Sequence, residues 1–194
     1  WRNFRDSVKA MNNKNVTVLS DGTKTYDDAD DAAIIGEIWA DAAYYLLGDM
    51  YDSVMNYVFR DAAAGFARTY RINRDDKNYN LDEDYTAWDA LLTMESTRER
   101  YPQEAFYAMM NLVGSHDTAR ILSYLDHVED DGWGNKNNVQ NFYPTYAKTS
   151  AKAKKLQYMV ALIQFTYAGA PTIYYGDEIG MVGSDDPDDR RAFE

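Results

Sequence analysis

The chain of 194 residues contains no cysteine, which excludes disulfide bonds, thiolate metal sites and a cysteine nucleophile. Two histidines leave little for a histidine-rich metal site. Positive charge is also scarce, since 20 lysines and arginines stand against 32 aspartates and glutamates, giving a net charge of −12. This balance disfavours partners that are held through phosphates or anionic lipids, so no nucleic-acid or membrane partner is expected.

Long hydrophobic runs are missing as well. The most apolar stretch, residues 156–175, is interrupted by Gln157, Gln164 and the Gly169-Ala170-Pro171 break, whereas a transmembrane helix needs about 20 apolar residues. Only four prolines are present, and 45% hydrophobic with 14% aromatic residues is typical of a globular core. The amino end lies within an amphipathic pattern and has neither an initiator Met nor a signal core, which predicts that the sequence begins inside a larger protein.

Short apolar runs alternate with helical patterns along the whole chain. Residues 1–12 have the apolar spacing of a helix, and residues 13–31 form a polar insertion with a turn or small hairpin around Asp21-Gly22. Strands are predicted at 32–38, 51–57, 111–113 and 171–175, the first of them buried on both faces. Helices are predicted at 59–70, 82–100, 102–109, 118–126 and 150–167, with polar loops at 71–81 and 130–141. This order indicates parallel βα units in one α/β domain spanning residues 1–194.

Two acidic side chains follow predicted strands. Glu37 ends the first strand beside Trp39, and Asp117 follows the third strand in Gly114-Ser115-His116-Asp117. At the carboxyl ends of parallel strands, a carboxylate pair can perform acid–base or charge-stabilising work on a bond between its members. The alternatives are that Glu37 and Asp117 only cap the helices that follow and that His116 is a core residue.

Aromatic side chains are numerous enough to line a groove that binds sugar faces. The regularly spaced rings Phe4, Trp88, Phe106 and Phe165 are expected in the core. The rings expected to contact substrate are those in strand-end loops: Trp39, Tyr57, Trp133 and Tyr175.

No metal site or cofactor is predicted. The acidic stretch from Asp76 departs from an EF-hand, because Leu81 replaces the glycine of the sharp turn and Ala87 the bidentate glutamate. The acidic runs 27–31 and 185–189 are expected to be solvated loops, although calcium bound by loop carboxylates stays an open alternative. Neither a phosphate loop nor a dinucleotide fingerprint is present.

Five ordered blocks resemble the α-amylase family, glycoside hydrolase family 13, and most of all its neopullulanase, cyclomaltodextrinase and amylopullulanase branch. These blocks are IIGEIWADA (34–42), GDMYDSVMNY (48–57), MNLVGSHDTARIL (110–122), FTYAGAPTIYYGDEIGM (165–181) and DPDDRRAF (186–193). The resemblance implies a (β/α)₈ TIM barrel of which this chain supplies strands five to eight, the carboxyl-terminal half. It also implies a retaining hydrolase of α-1,4 or α-1,6 glucosidic bonds in starch, maltodextrin or pullulan.

The resemblance assigns roles to individual residues. Glu37 matches the general acid/base, and Asp117 matches the carboxylate that stabilises the transition state and holds sugar hydroxyls. His116 matches a histidine that hydrogen-bonds the sugar, while Asp186 and Arg190 match contacts to a sugar further along the substrate. The predicted catalytic residues are thus Glu37 and Asp117. The predicted substrate-binding residues are His116, Trp39, Asp186 and Arg190.

Two departures from the family pattern bear on activity. Ala40 stands where relatives often have a histidine. The family's nucleophile, an aspartate at the end of the fourth strand, belongs to a segment preceding the helix at Trp1, and nothing in this sequence matches it. The chain alone is therefore expected to be inactive without the amino-terminal half of the barrel.

Other functions stay open at this level. The chain could belong to a non-catalytic glucan-binding protein or to an α-glucan transglycosylase. The acidic, aromatic-rich, cysteine-free composition is compatible with a secreted bacterial glucanase. An extracellular location is therefore favoured, although the sequence leaves localisation undecided.

Overall fold

The centre of the protein, seen in a computed structural model, is a parallel four-stranded sheet. The structure describes residues 1–12, 16–26, 32–68, 70–72, 81–83, 85–126, 149–184 and 186–193. The strands of this sheet are β3 (Ile35–Ile38), β4 (Ser53–Asn56), β7 (Met110–Leu112) and β8 (Ala170–Thr172), adjacent in that order. Two antiparallel hairpins accompany it: β1 (Val16–Val18) with β2 (Lys24–Tyr26), and β5 (Tyr70–Ile72) with β6 (Leu81–Glu83).

One α-helix precedes the strands, three lie between β4 and β7, and two lie between β7 and β8 among the described residues. The helices are α1 (Arg2–Asn12), α2 (Tyr57–Arg68), α3 (Ala87–Arg100), α4 (Gln103–Tyr107), α5 (Ile121–Leu125) and α6 (Ala151–Thr166). Single 3₁₀ turns occur at Ala43–Leu46, Asp177–Ile179 and Asp188–Arg190. Consecutive strands of this sheet are neighbours and parallel, which confirms the predicted parallel α/β arrangement. The described helices include none long and apolar enough to cross a membrane.

Helices α2 and α3 begin at other residues than predicted, because capping hydrogen bonds fix where each helix starts. Asn56 Oδ1 accepts the N–H of Phe59 at 3.0 Å, so α2 begins at Tyr57, directly after β4 and two residues earlier than predicted. Thr86 and Asp89 form a capping box, which starts α3 at Ala87. Residues 81–83, predicted in part as helix, are instead a strand that pairs with β5.

The first strand of the sheet is shorter and more exposed than predicted. It covers four residues, and the side chains of Ile35 and Glu37 are exposed. The reason is that β3 pairs with β4 alone among the described residues, so it is an edge strand. β8, at the opposite edge, likewise pairs with β7 alone among them.

Buried amides tie the central strands together. Asn56 Nδ2 donates to Asn111 Oδ1 at 2.9 Å, which joins β4 to β7, and Asn111 Nδ2 donates to the Ala168 carbonyl at 2.8 Å. Gln164 of α6 donates to the carbonyls of Asn111 and Thr172, at 2.8 and 2.9 Å, and so spans β7 and β8. These bonds hold the carboxyl ends of the strands in a fixed arrangement.

The expectation of four core aromatics was wrong for three of them. Phe106 is buried, but Phe4, Trp88 and Phe165 are 50%, 64% and 58% exposed. The core instead combines α2, α5 and α6 in one cluster and β3, β4 and the 101–109 segment in a second. Residues 13–15, 27–31, 73–80 and 127–148, which include the predicted loop at 130–141 and the 27–31 acidic run, lie outside the described residues.

Candidate active site

The structure brings the two predicted carboxylates to one edge of the sheet. Glu37 lies on β3, whereas His116 and Asp117 follow β7, and a carboxylate or imidazole atom of each lies within 4.8 Å of the others. Glu37 and His116 are exposed and Asp117 is half-buried, so all three are open to a substrate. The arrangement arises because β3, β4 and β7 are parallel neighbours whose carboxyl ends share this edge.

Asp117 does not cap a helix. Helix α5 begins four residues later, with Arg120 in the capping position. The carboxylate of Asp117 instead accepts a hydrogen bond from Arg190 Nη2 at 3.0 Å and lies 3.2 Å from His116 Nε2. The capping alternative is therefore wrong for Asp117, and the exposed position of His116 excludes a core role.

Glu37 also has no capping function. The 3₁₀ turn that follows it, Ala43–Leu46, has no side-chain cap. The Oε1 atom of Glu37 instead lies 3.1 Å from the hydroxyl of Tyr57, the first residue of α2. That hydroxyl is also 3.0 Å from Ser115 Oγ, which accepts the N–H of Asp117 at 3.2 Å.

Arg190 connects the remaining predicted site residues. Its Nε atom donates to the His116 carbonyl at 3.0 Å and lies 3.0 Å from Asp186 Oδ1. With the bond to Asp117, one guanidinium fixes three neighbours, which the fork of five donors allows. Arg190 thus joins Asp186 to Asp117, whereas their predicted contacts with a sugar stay a prediction.

The predicted substrate-binding aromatics have different positions. Trp39 is half-buried and stacks on Tyr57, with ring centroids 3.7 Å apart and planes at 13°. Tyr57 is fully buried, so its ring has no face for a sugar, contrary to the prediction. Tyr175 is 40% exposed and donates through its hydroxyl to the Arg191 carbonyl, whereas Trp133 lies outside the described residues.

A buried ion pair beneath the site was not predicted. The Arg120 guanidinium lies over the rings of Tyr174 and Tyr175, 4.3 and 4.4 Å from their centroids, and 3.4 Å from Asp177 Oδ1. Burial raises the pKa of Asp177 to about 7, against the opposing effect of Arg120. No sequence signal could have paired residues 57 positions apart.

Gly114, just before the turn that carries His116 and Asp117, contacts the Asp177 side of this ion pair. A Cβ at Gly114 would collide with the Asp177 carboxylate, so only glycine fits at this position without a shift. The turn that carries Ser115, His116 and Asp117 is therefore supported by a buried carboxylate.

The chemistry of the site follows from its charges. The exposed carboxylate of Glu37, which contacts the Tyr57 hydroxyl, faces the carboxylate of Asp117. The guanidinium of Arg190 holds Asp117 and neutralises its charge. The donor atoms of Glu37, His116 and Asp117 could reach a metal ion, but Arg190 already occupies one oxygen of Asp117. The arrangement suits acid–base work.

The chain is similar to proteins of one known family. The model of the alpha amylase catalytic domain matches residues 3–193. Neopullulanase 2 of Thermoactinomyces vulgaris is 36% identical over 98% of the chain, which spans 23% of that protein. An amylopullulanase of Thermoanaerobacter thermohydrosulfuricus is 40% identical over 84% of the chain, which spans 10% of that protein.

A solved structure shows the same fold. Cyclic α-maltosyl-(1→6)-maltose hydrolase from Arthrobacter globiformis, in complex with that sugar, superposes with a TM-score of 0.64. It is 27% identical over 100% of this chain and 31% of its own. The fold defines an α/β protein with a parallel sheet, similar to the corresponding part of this hydrolase. The chain belongs to the α-amylase catalytic-domain family, and it spans a quarter or less of the length of these curated relatives.

Proposed function

We propose that this chain supplies four consecutive βα units, strands five to eight, of an α-amylase-type (β/α)₈ barrel and that the complete protein is a retaining α-glucan hydrolase. The observation that carries the proposal is the convergence of Glu37, His116 and Asp117 within 4.8 Å at the carboxyl ends of β3 and β7. In parallel α/β barrels, this is the face that holds the active site.

The proposed mechanism uses two carboxylates of this chain and one from outside it. An aspartate attacks the anomeric carbon while Glu37 gives its proton to the leaving glycosidic oxygen. Glu37 then takes a proton from the water that releases the sugar, so it returns to its starting state. Asp117, held by Arg190 at 3.0 Å, stabilises the positive charge on the ring in both steps.

The exposed sheet edges support a larger barrel. β3 and β8 each have one neighbour among the described residues, and Ile35 and Ile173 beside them are 39% and 49% exposed. Open apolar edges of a parallel sheet are ordinarily covered by further βα units. We propose that the amino-terminal half of the barrel covers them and supplies the nucleophile.

Reducing-sugar release from soluble starch and pullulan by the full-length protein tests the proposal. We expect Glu37→Gln to lower the rate about 10³-fold, since general acid catalysis contributes about 10²- to 10⁴-fold. Glu95→Gln is the matched control, because Glu95 pairs with Arg98 on the surface of α3. We expect the chain of 194 residues alone to show no turnover.

Two results would contradict the proposed function. A loss below about 10-fold in Glu37→Gln would remove Glu37 from the acid/base role. Equal, negligible activity of parent and variant, with glucan still bound, would show that the protein is a glucan-binding protein. The ratio of rates on starch and pullulan reports the linkage preference.

A further inference from the structure

We propose that Tyr57 is a positioning residue that holds Glu37 Oε1 and thereby directs the acidic proton of Glu37 to Oε2. The inference rests on the proposed function and assigns a task to a residue that touches no substrate. It starts from the two short contacts of the Tyr57 hydroxyl, 3.1 Å to Glu37 Oε1 and 3.0 Å to Ser115 Oγ.

Tyr57 can hold the Glu37 side chain because its own side chain is fixed by its surroundings. It is fully buried and is the first residue of α2, directly after β4. Asn56 caps that helix through the Phe59 N–H, which fixes the backbone at the junction. Trp39 covers the ring at a centroid distance of 3.7 Å. Few rotamers remain for a side chain so enclosed.

The direction of the hydrogen bonds follows from the donors that are present. The hydroxyl of Tyr57 has one hydrogen, and an ionised carboxylate only accepts. The hydrogen of Tyr57 therefore goes to Glu37 Oε1, and the Ser115 hydroxyl donates to the Tyr57 oxygen. Ser115 Oγ in turn accepts the N–H of Asp117 at 3.2 Å, so Tyr57 and Ser115 each donate one hydrogen bond and accept another.

This chain of bonds links the two sides of the site. Glu37 stands at the end of β3 and Asp117 follows β7, and Tyr57 with Ser115 spans the distance between them. Hydrogen bonds in such a series polarise one another in the direction of the carboxylate. These bonds resist a movement of the end of β3 relative to the turn after β7, so the spacing of the two carboxylates is maintained.

The proton of Glu37 is thereby confined to one oxygen. While Oε1 accepts from Tyr57, a proton on Glu37 must reside on Oε2, because Oε1 carrying a hydrogen would oppose that of Tyr57. In the ionised state the same bond stabilises the carboxylate, which is the form that must activate water. Burial, with a further contribution from the charge of Glu37, raises the pKa of Tyr57 above its usual value, so its hydroxyl keeps its hydrogen at neutral pH.

Tyr57→Phe in the full-length protein tests the assignment. Phenylalanine keeps the ring and its stacking on Trp39 and removes only the hydroxyl. The control is Tyr167→Phe, which removes a half-buried hydroxyl that donates to the Met94 carbonyl at 3.0 Å. Loss of positioning is expected to lower kcat on maltodextrin about 10- to 100-fold while KM changes little, and the control is expected to match the parent.

The leaving group separates positioning from a structural effect. A nitrophenyl α-maltoside has a leaving group that departs without protonation, so it needs no general acid. We expect the effect of Tyr57→Phe on this substrate to be at least 10-fold smaller than on maltodextrin. Equal losses on both substrates, or a maltodextrin loss no greater than that of Tyr167→Phe, would overturn the assignment.

The carboxyl carbon of Glu37 gives a readout that does not depend on activity. It is identified as the ¹³C resonance that Glu37→Gln removes. At pH 7 its chemical shift is expected to change in Tyr57→Phe and to keep the parent's value in Tyr167→Phe, because only Tyr57→Phe removes the hydroxyl that lies 3.1 Å from Glu37 Oε1. An unchanged chemical shift in Tyr57→Phe would overturn the inference.

The outcomes distinguish the two proposals. An inactive parent protein refutes the hydrolase, and the ¹³C chemical shift of Glu37 still decides whether Tyr57 holds it. An active parent that equals Tyr57→Phe on maltodextrin refutes only the role of Tyr57. If Tyr57→Phe does not fold, Ser115→Ala, which removes the donor to Tyr57, is expected to change the chemical shift of Glu37, and no change would overturn the inference.

Discussion

Replacing Asp52 with asparagine should destabilise the protein through the loss of one charge. Its carboxylate lies 2.7 Å from Arg5 Nη1 and 3.1 Å from Lys9 Nζ and accepts the Ile34 N–H at 2.7 Å. It therefore connects α1 to the start of β3. Asparagine has nearly the same shape and can still accept from Ile34, so Asp52→Asn removes the charge and the acceptor for Arg5 while it keeps the bond to the backbone.

The magnitude follows from the burial of the partners. Lys9 is 1% exposed, Arg5 17% and Asp52 26%. Removing one member of a fully buried pair costs about 3 to 5 kcal/mol, and the partial exposure of Asp52 reduces that to about 2 to 3 kcal/mol. A domain of this size loses about 2 to 4 °C in Tm per kcal/mol, so we expect a decrease of about 4 to 12 °C.

Thermal unfolding at pH 7 measures this change, and a neighbouring aspartate is the control. Asp49 pairs with Arg2 on the surface, where both side chains are about half exposed, so Asp49→Asn should cost less than about 1 kcal/mol. Equal effects of Asp52→Asn and Asp49→Asn would refute the reasoning from burial.

The pH dependence provides a second check on Asp52. Burial alone would raise the pKa of Asp52, but the hydrogen bonds from Ile34, Arg5 and Lys9 outweigh it and lower the pKa below its usual value. The carboxylate therefore stabilises the folded state above the unfolded pKa of about 3.9, and this contribution is lost as the pH falls through the lower folded value. The difference between parent and Asp52→Asn should shrink in acid.

Two further predictions concern buried polar groups. Because the pKa of Asp177 is raised to about 7, the unfolded chain binds fewer protons at this group between pH 4 and 7, and stability falls as the pH rises through this window. Denaturant titrations at several pH values should show a shallower fall in Asp177→Asn, and an unchanged slope would count against the assignment. Gln164→Leu should cost about 1 to 3 kcal/mol, because the carbonyls of Asn111 and Thr172 lose their shared donor. Chemical denaturation measures this, and a cost near zero would mean that the bridge between β7 and β8 adds no stability.

Periodic patterns predicted the elements that local forces determine. The apolar spacing of residues 1–12 predicts α1, which runs from Arg2 to Asn12. The structure confirms the helix predicted at 150–167 as Ala151–Thr166, because Ser150 accepts the N–H of Ala153 and so caps it. Strand lengths were predicted less well, since a strand ends where its partner ends, and that partner lies far along the chain.

The candidate site was predicted in part. The positions of Glu37 and Asp117 at strand ends placed them together, because parallel strands end at one edge. The buried hydroxyl of Tyr57 was interpreted as a ring for sugar binding, because sequence shows an aromatic residue at a strand end but not which way it faces. The ion pair of Arg120 and Asp177 gave no local signal at all.

Sequence alone was enough to predict the four strands of the parallel sheet, the helices α1 and α6 and the residues at the strand ends, since periodicity, caps and glycine positions act over a few residues. Which side chains meet depends on packing that joins distant parts of the chain. Tyr57 reaches Glu37 and Ser115 across three strands, and Arg190 reaches Asp117 from 73 residues away. Such contacts depend on the register and burial of elements that are brought together by packing, and no short-range pattern encodes them.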